Sequence, residues 1–368
     1  MKKILLLITI LLSVFFISAC KNVQNLDNAS IEHDLEFGGI YIKSSIDNFN
    51  NLGYDFGDSV DISFSNGYTL DDIPYFSGYY VPAGDYLLVG YPGHDYIEVQ
   101  INCGDDTWII AELEDSDTAS ISLNKKKKYL DIQNALNIKY YDERNKYETD
   151  IEFANFRNIA VGNIKENTLY RSASPCDNKH KRASYVDSLM SEYNIMYMLN
   201  LADTKEKIDE FIAKEDFNSP YFLSLYQENN YSLLTLNMNY KSKDFQNKVC
   251  RGLKDIIDND GPYLIHCLEG KDRTGFVCIL LEALLGATYN EIVDDYMTTY
   301  YNYYKIDKRS EKYDIIKNMN MDEMLRFITN DENTPLNEID LVASAKSYLL
   351  NGGMSNDEIN SLINKLSK

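Results

Sequence analysis

Apolar positions follow two rhythms along this chain, and the change falls near residue 150. From 36 to 125 they alternate with polar ones in short stretches: VDISFS, YYV, YLLVGY, DYIEVQIN, TWIIAEL and TASISL. A period of two turns one face of each stretch inward, so each reads as a half-buried strand. Asn66-Gly67, the run Pro82-Ala83-Gly84-Asp85 and Pro92-Gly93 supply turns between them. The expectation for 36–125 is a smaller β-rich domain, a barrel or sandwich. The next stretch, YLDIQNALNIKYYDERNKYETD, reads as helical and is expected to be a linker over 126–150.

Beyond 150 the rhythm becomes strand, helix, strand, helix. TLYRSA, IMYMLNLA, YSLLTLNM and PYLIHC are the strand candidates. RASYVDSLMSEY, KEKIDEFIAKE, DFQNKVCRGLKDIID and TGFVCILLEALLGA repeat at helical spacing, and the last is apolar all round and therefore buried. Such alternation predicts an α/β domain over 151–368, a mainly parallel sheet flanked by helices with a helical C-terminus. Ser355 and Glu358 have the spacing of a capping box.

The first residues carry a different message. MKK is a basic start, ILLLITILLSVFFI is apolar but short for a bilayer span, and small residues follow, so 1–19 reads as an export signal. Ile17-Ser18-Ala19-Cys20 resembles the lipobox of bacterial lipoproteins. That resemblance implies cleavage before Cys20, lipidation of its thiol and stable anchoring by two acyl chains on the outer face of a bacterial membrane. Residues 20–35, polar and Asn-rich, then read as a tether.

Charge narrows the partners. Asp and Glu number 57 against 36 Lys and Arg, for a net charge of −21. Such a body repels nucleic acid and offers an anionic substrate no general attraction, so any attraction must be built locally. Lys125 to Lys128 are the one basic run, read as a solvated turn with headgroup contact as the alternative. Cys103, Cys176, Cys250, Cys267 and Cys278 show no CxxC spacing, which suggests neither a disulfide framework nor a zinc site.

Local attraction is what HCLEGKDRTG, residues 266 to 275, is suited to supply. In a parallel sheet, ligands bind where a strand's carboxyl end turns into a helix. Backbone N–H groups of a tight Gly-containing loop converge there, and the helix adds its positive end. A Walker loop is excluded, because Asp272 follows Gly270-Lys271 where Ser or Thr is required, and Ile265 replaces its first glycine. Donors that cradle an oxyanion also stabilise a thiolate, so Cys267 is expected to be an ionised nucleophile under a phosphate-shaped cup. Arg273 would close the cup with two parallel donors.

Cys267-x5-Arg273, with His266 before and Thr274-Gly275 after, resembles the signature of the cysteine-dependent protein tyrosine phosphatase superfamily. The GKDRTG form is similar to a bacterial tyrosine phosphatase branch that includes dual-specificity and phosphoinositide-active enzymes. Phe156-Arg157-Asn158 and Leu169-Tyr170-Arg171-Ser172 resemble its "NFR … LYRS" landmarks, and the likeness runs from about residue 150 to 305. It implies attack by Cys267 and a cysteinyl-phosphate intermediate that water hydrolyses. Arg273 clamps the phosphoryl group, and the backbone of Leu268, Glu269, Gly270, Lys271 and on to Thr274 cradles it. The Thr274 hydroxyl would bond to the sulfur, His266 would hold the loop without acting as a base, and neither metal nor cofactor is needed.

The proton donor is less plain. Many relatives carry an aspartate on a loop well before the cysteine, but here that region holds Asn237 and Asn239. Asp244 lies at a helix start, where capping suits it better. The branch offers Asp272, inside the signature, with Asp203 as a further candidate. Lys271 is expected as a second phosphate contact. Glu269 is tolerable only if it points away or pairs with a cation. The tyrosine-rich stretch from Tyr296 to Tyr313 reads as a packed helix, with a ring-recognition wall as the alternative. The expected function is that of a lipid-anchored protein tyrosine or dual-specificity phosphatase acting on a phosphorylated protein. A phosphorylated lipid or inositol substrate is the alternative, and an idle surface phosphate-binding module is an alternative of another class.

Overall fold

The computed structural model describes residues 23–368, so the export signal and the Cys20 lipidation site lie outside the described residues. Among the described residues no helix is long and apolar enough to cross a membrane.

Seven strands come first: β1 (Leu26–His33), β2 (Ile40–Ile42), β3 (Ser59–Phe64), β4 (Thr69–Phe76), β5 (Tyr86–Val89), β6 (Ile97–Ile101) and β7 (Thr118–Lys125). They close into a barrel in the order β1-β2-β6-β5-β4-β3-β7, with β1 pairing back onto β7. Only β4 and β5 run parallel. Closure leaves no free edge to pair with another chain. Along β3 the alternation is plain: Val60, Ile62 and Phe64 are buried, while Ser63 faces solvent. Phe49, Tyr54 and Tyr75 fill the interior, the first two with stacked rings 4.1 Å apart.

The expected elements and boundaries change in four places. The tether over 20–35 does not hold, because β1 occupies 26–33 and completes the barrel. Its LDNASIEH has one fully buried residue, Ile31, so pairing to β2 and β7 makes it a strand, not its own pattern. YYV forms a loop, and TWII opens a short helix because Asp106 caps it, accepting from Ile109 N at 3.1 Å. The linker is helical only over Leu130–Leu136. After it the chain is pinned by aromatic side chains, with Tyr147 buried beside Phe153. The basic run is not a freely solvated turn either. Lys126 bonds to Gly53 O, Asp55 and Asp58 at 2.6, 2.9 and 2.7 Å, and Lys128 pairs with Asp72.

One barrel carboxyl sets a pH dependence. Glu98 is 1% exposed, and burial, with Asp34 beside it, pushes its pKa up to about 8, although Gln100 donates to it at 2.5 Å. The native state therefore holds a proton that an unfolded chain releases near pH ~4.3. Stability falls as pH rises from there toward 8, since the native state binds the extra proton. Glu98→Gln removes that penalty. Its melting temperature is expected to rise above wild type by a margin that widens from pH 5 to pH 8, and a margin independent of pH would refute the assignment.

The α/β unit contains β8 (Arg157–Asn158), β9 (Leu169–Ser172), β10 (Tyr197–Asn200), β11 (Tyr231–Leu233) and β12 (Tyr263–His266), in the order β11-β10-β12-β9-β8. All pairs are parallel except β8 with β9. The three central strands are buried at every position, as expected where helices cover both faces. The helix Asp272–Leu284 follows β12 and is buried from Thr274 onward. Capping boxes start the helices Tyr289–Tyr304 (Thr288 with Glu291) and Asn356–Leu366 (Ser355 with Glu358). The mainly parallel sheet flanked by helices stands as expected.

Candidate active site

β12 ends at His266, and the helix begins at Asp272, so the signature loop is the strand-to-helix crossing at the sheet's centre. What shapes it is where its carbonyls go. Leu268 O accepts from Ser174 N at 3.0 Å. Glu269 O accepts from Tyr303 OH at 2.7 Å and from Asn155 Nδ2 at 3.3 Å. Gly270 O accepts from Arg171 Nη2 at 3.0 Å and Asn155 Nδ2 at 3.2 Å. In a trans peptide the N–H points opposite the C=O, so tying these oxygens outward turns the following amides inward. No backbone carbonyl among the described residues accepts from the N–H groups of Leu268 through Thr274. Gly270 has φ +67°, and a Cβ there would lie 2.2 Å from Ser172 O, so only glycine fits the bend.

Cys267, 3% exposed, sits at the start of this ring of donors. Arg273 Nη1 donates to Leu236 O at 3.2 Å, while its Nε is buried with no partner, leaving donor capacity at the loop. His266 is fully buried with Nδ1 3.4 Å from Cys267 O. Burial, reinforced by Arg273, lowers its pKa to about 4, so the ring is neutral at pH 7. Thr274 Oγ1 is buried and unpartnered, so the expected bond to sulfur is not formed. Its hydroxyl is left with donor capacity beside the loop.

Glu269 pairs with a cation. Although burial works to raise its pKa, Lys271 at 3.2 Å and the Tyr140 hydroxyl at 2.8 Å hold it below the usual range. Lys271, 3.7 Å from Asp272 as well, stays charged against the effect of burial. It is neither solvated nor free. Asp272 has its pKa raised, by burial first and by Glu269, against Lys271 and Arg273. Asp203 is raised too, by burial, and sits on the turn after β10 with Asn200 Nδ2 donating to it at 3.0 Å. Asp244 is not the cap of its helix. Ser242 is, and Asp244 pairs outward with Lys248 at 2.7 Å. Asn237 and Asn239 are tied to each other at 3.1 Å. Among the described residues no group of His, Cys, Asp and Glu is arranged to hold a metal ion.

Several supporting residues escape a reading of the signature alone. Asn155, in the left-handed region at φ 48°, bonds two loop carbonyls. Arg171 and Arg157 grip Asp295 at 2.5 and 2.7 Å and hold its carboxyl well below the usual range against the cost of burial. Glu282, buried beside that cluster, is pushed well above its usual range by burial and by Asp295. The landmark blocks are therefore the loop's scaffold. An arginine in a strand expected inside a sheet covered on both faces is the signal that could have exposed this. From the tyrosine-rich stretch, Tyr300 and Tyr304 line the pocket beside the loop, while Tyr303 anchors it from behind.

A family profile described as "Tyrosine phosphatase family" matches residues 152–368. Among solved structures, the core catalytic domain of the PP-IP phosphatase SIW14 from S. cerevisiae, in complex with citrate, is similar at 18% identity. The likeness covers 47% of this chain and 95% of that one with a TM-score of 0.27. No curated protein matches. The profile takes in Asn155, Arg157, Arg171, Asp295 and Tyr303 together with the loop they hold, and this chain belongs to the tyrosine phosphatase family.

Proposed function

We propose that the chain hydrolyses phosphate monoesters through a cysteinyl-phosphate intermediate, with a phosphotyrosyl or dual-specificity protein substrate. The observation that carries this reading is the set of loop amides freed by outward-tied carbonyls around Cys267, with Arg273 beside them. Those amides are preorganised for three equatorial phosphoryl oxygens and need not reorient as charge develops.

In the first step the Cys267 thiolate attacks phosphorus. An S–P bond forms, the ester P–O bond breaks, and Asp272 passes its proton to the leaving oxygen. In the second step water attacks phosphorus, its proton returns to Asp272, the S–P bond breaks and inorganic phosphate leaves. Asp272 fits because it lines the pocket and because burial keeps its proton on to higher pH than an ordinary aspartate. His266, neutral and enclosed, positions the loop. The unpaired Thr274 hydroxyl supports a role in easing the departure of sulfur, through a bond to it that forms during the reaction.

The test separates leaving groups. Wild type is expected to hydrolyse p-nitrophenyl phosphate, and no turnover would defeat the proposal. Asp272→Asn should slow alkyl phosphates by about 100-fold or more, the usual worth of general acid catalysis. It should slow p-nitrophenyl phosphate far less, since that phenolate leaves without a proton. Equal losses in kcat on both would move the donor role to Asp203.

A further inference from the structure

The end of the loop, Lys271 to Arg273, lines a pocket of ≈ 510 Å³ with two unlike walls, and Cys267 is not on its lining. One is the phosphatase unit itself, Lys271 to Arg273 with Tyr300 and Tyr304. The other comes from the barrel: the Gly78–Ala83 loop between β4 and β5, and Asn102 with Cys103 just after β6. The family profile starts at 152, so it covers none of this second wall.

The barrel wall is held in place. Asn102 Nδ2 donates to Val81 O at 2.6 Å, and Gly84 N donates to Asn102 O at 2.8 Å. At the loop's start Gln133 bonds Ser77 twice, at 2.7 and 3.1 Å. Ala83 packs into the same hydrophobic core as Cys267, Phe276 and Tyr240, so the wall and the nucleophile share one packed body. Burial, with the carboxylate of Asp272, pushes the Cys103 thiol up to about 11, which sets this barrel residue within the field of the loop.

The pocket's chemistry points to what it holds. Tyr79, Tyr91 and Met238 are exposed at 36, 42 and 41%, and all three stand on its lining, the two rings 5.9 Å apart. Single exposed apolar side chains are ordinary, but three converging on one opening are not. Lys271 and Arg273 are the cations of the lining, and Lys271 is already engaged by Glu269 and Asp272. One guanidinium, held at Nη1 by Leu236 O and with Nε unpaired, suits one phosphoryl group. A ring bearing several phosphates would place the rest against tyrosines and in the field of a chain of net charge −21.

We propose that the barrel is part of the substrate site, its Gly78–Ala83 loop with Tyr79 and Tyr91 holding the organic half of a singly phosphorylated aryl ester. The barrel thereby selects phosphotyrosyl over polyphosphorylated substrates. This rests on the phosphatase reading above for turnover, but not for binding. Calorimetry on the full chain carrying Cys267→Ser tests it, with a phosphotyrosyl peptide, inorganic phosphate and inositol hexakisphosphate as probes. Adding Tyr79→Ala and Tyr91→Ala should lower the ratio of peptide to inorganic phosphate affinity about tenfold, as the loss of two aromatic contacts implies. An unchanged ratio overturns the proposal, as does tighter binding of inositol hexakisphosphate than of the peptide. The far-ultraviolet spectrum and melting temperature of each variant confirm that it is folded, which is expected because both rings lie at the surface. If wild type turns over no ester yet the ratio falls, the phosphatase reading fails and this one stands. Turnover with an unchanged ratio gives the reverse.

Discussion

Replacing Cys267 with serine is expected to lower kcat for p-nitrophenyl phosphate by at least about 1,000-fold, the scale seen when a nucleophile is removed from an otherwise intact site. Binding of inorganic phosphate or tungstate should remain measurable by calorimetry. The two results separate because they depend on different atoms. The cup is made of backbone amides whose carbonyls are tied by Ser174, Tyr303, Asn155 and Arg171, and none of those bonds involves the sulfur. Attack depends on the side chain itself, and an alcohol is a far weaker nucleophile than a thiol. Residual activity within about tenfold of wild type would mean that phosphorus is attacked by something else, and the cysteinyl-phosphate intermediate would have to be given up.

The second large effect concerns Arg171, which touches neither the thiol nor the pocket lining. Its guanidinium is fully buried between Asp295, at 2.5 Å, and Gly270 O, at 3.0 Å. Arg171→Ala leaves the buried Asp295 with Arg157 as its remaining partner and takes a donor from the loop's bend. Removing one member of a buried ion pair costs about 3–5 kcal/mol, because the charge left behind is neither solvated nor fully matched. Urea unfolding should show a loss of that size, and phosphate affinity should fall with it as the Gly270 peptide is released. Arg171→Lys is expected to recover part of the stability but not the affinity, since an ammonium restores charge without a planar fork that reaches both partners. A stability loss below about 1 kcal/mol in the alanine variant would show that Asp295 is matched without Arg171.

The site was legible in the sequence to the extent that it is local. Thiol, glycine and guanidinium lie within seven consecutive positions at a strand-to-helix crossing, and one loop geometry satisfies that order. The alternation of strand and helix after residue 150 predicted the parallel sheet for a similar reason, since a helix between two strands returns the chain to pair in parallel. Elsewhere the pattern was silent or misleading. LDNASIEH resembles a tether until β2 and β7 supply its hydrogen bonds. YYV resembles a strand until Asn102, just past the end of the neighbouring β6, holds Val81 in a loop.

By itself, then, the sequence determined which groups the loop from Cys267 to Arg273 brings together and the order of layers that presents it, because both depend on neighbours along the chain. Only the tertiary structure decided how that loop is held and what it faces. The outward pull on its carbonyls comes from Arg171, Asn155 and Tyr303, and the charge of Glu269 is met by Tyr140 and Lys271. The far wall of the pocket comes from a barrel about half the chain away. Those partners are distant in sequence, and no periodicity records a pairing made across a core. It is enforced by the cost of leaving a buried polar group unmatched, which appears only once the chain has closed around it.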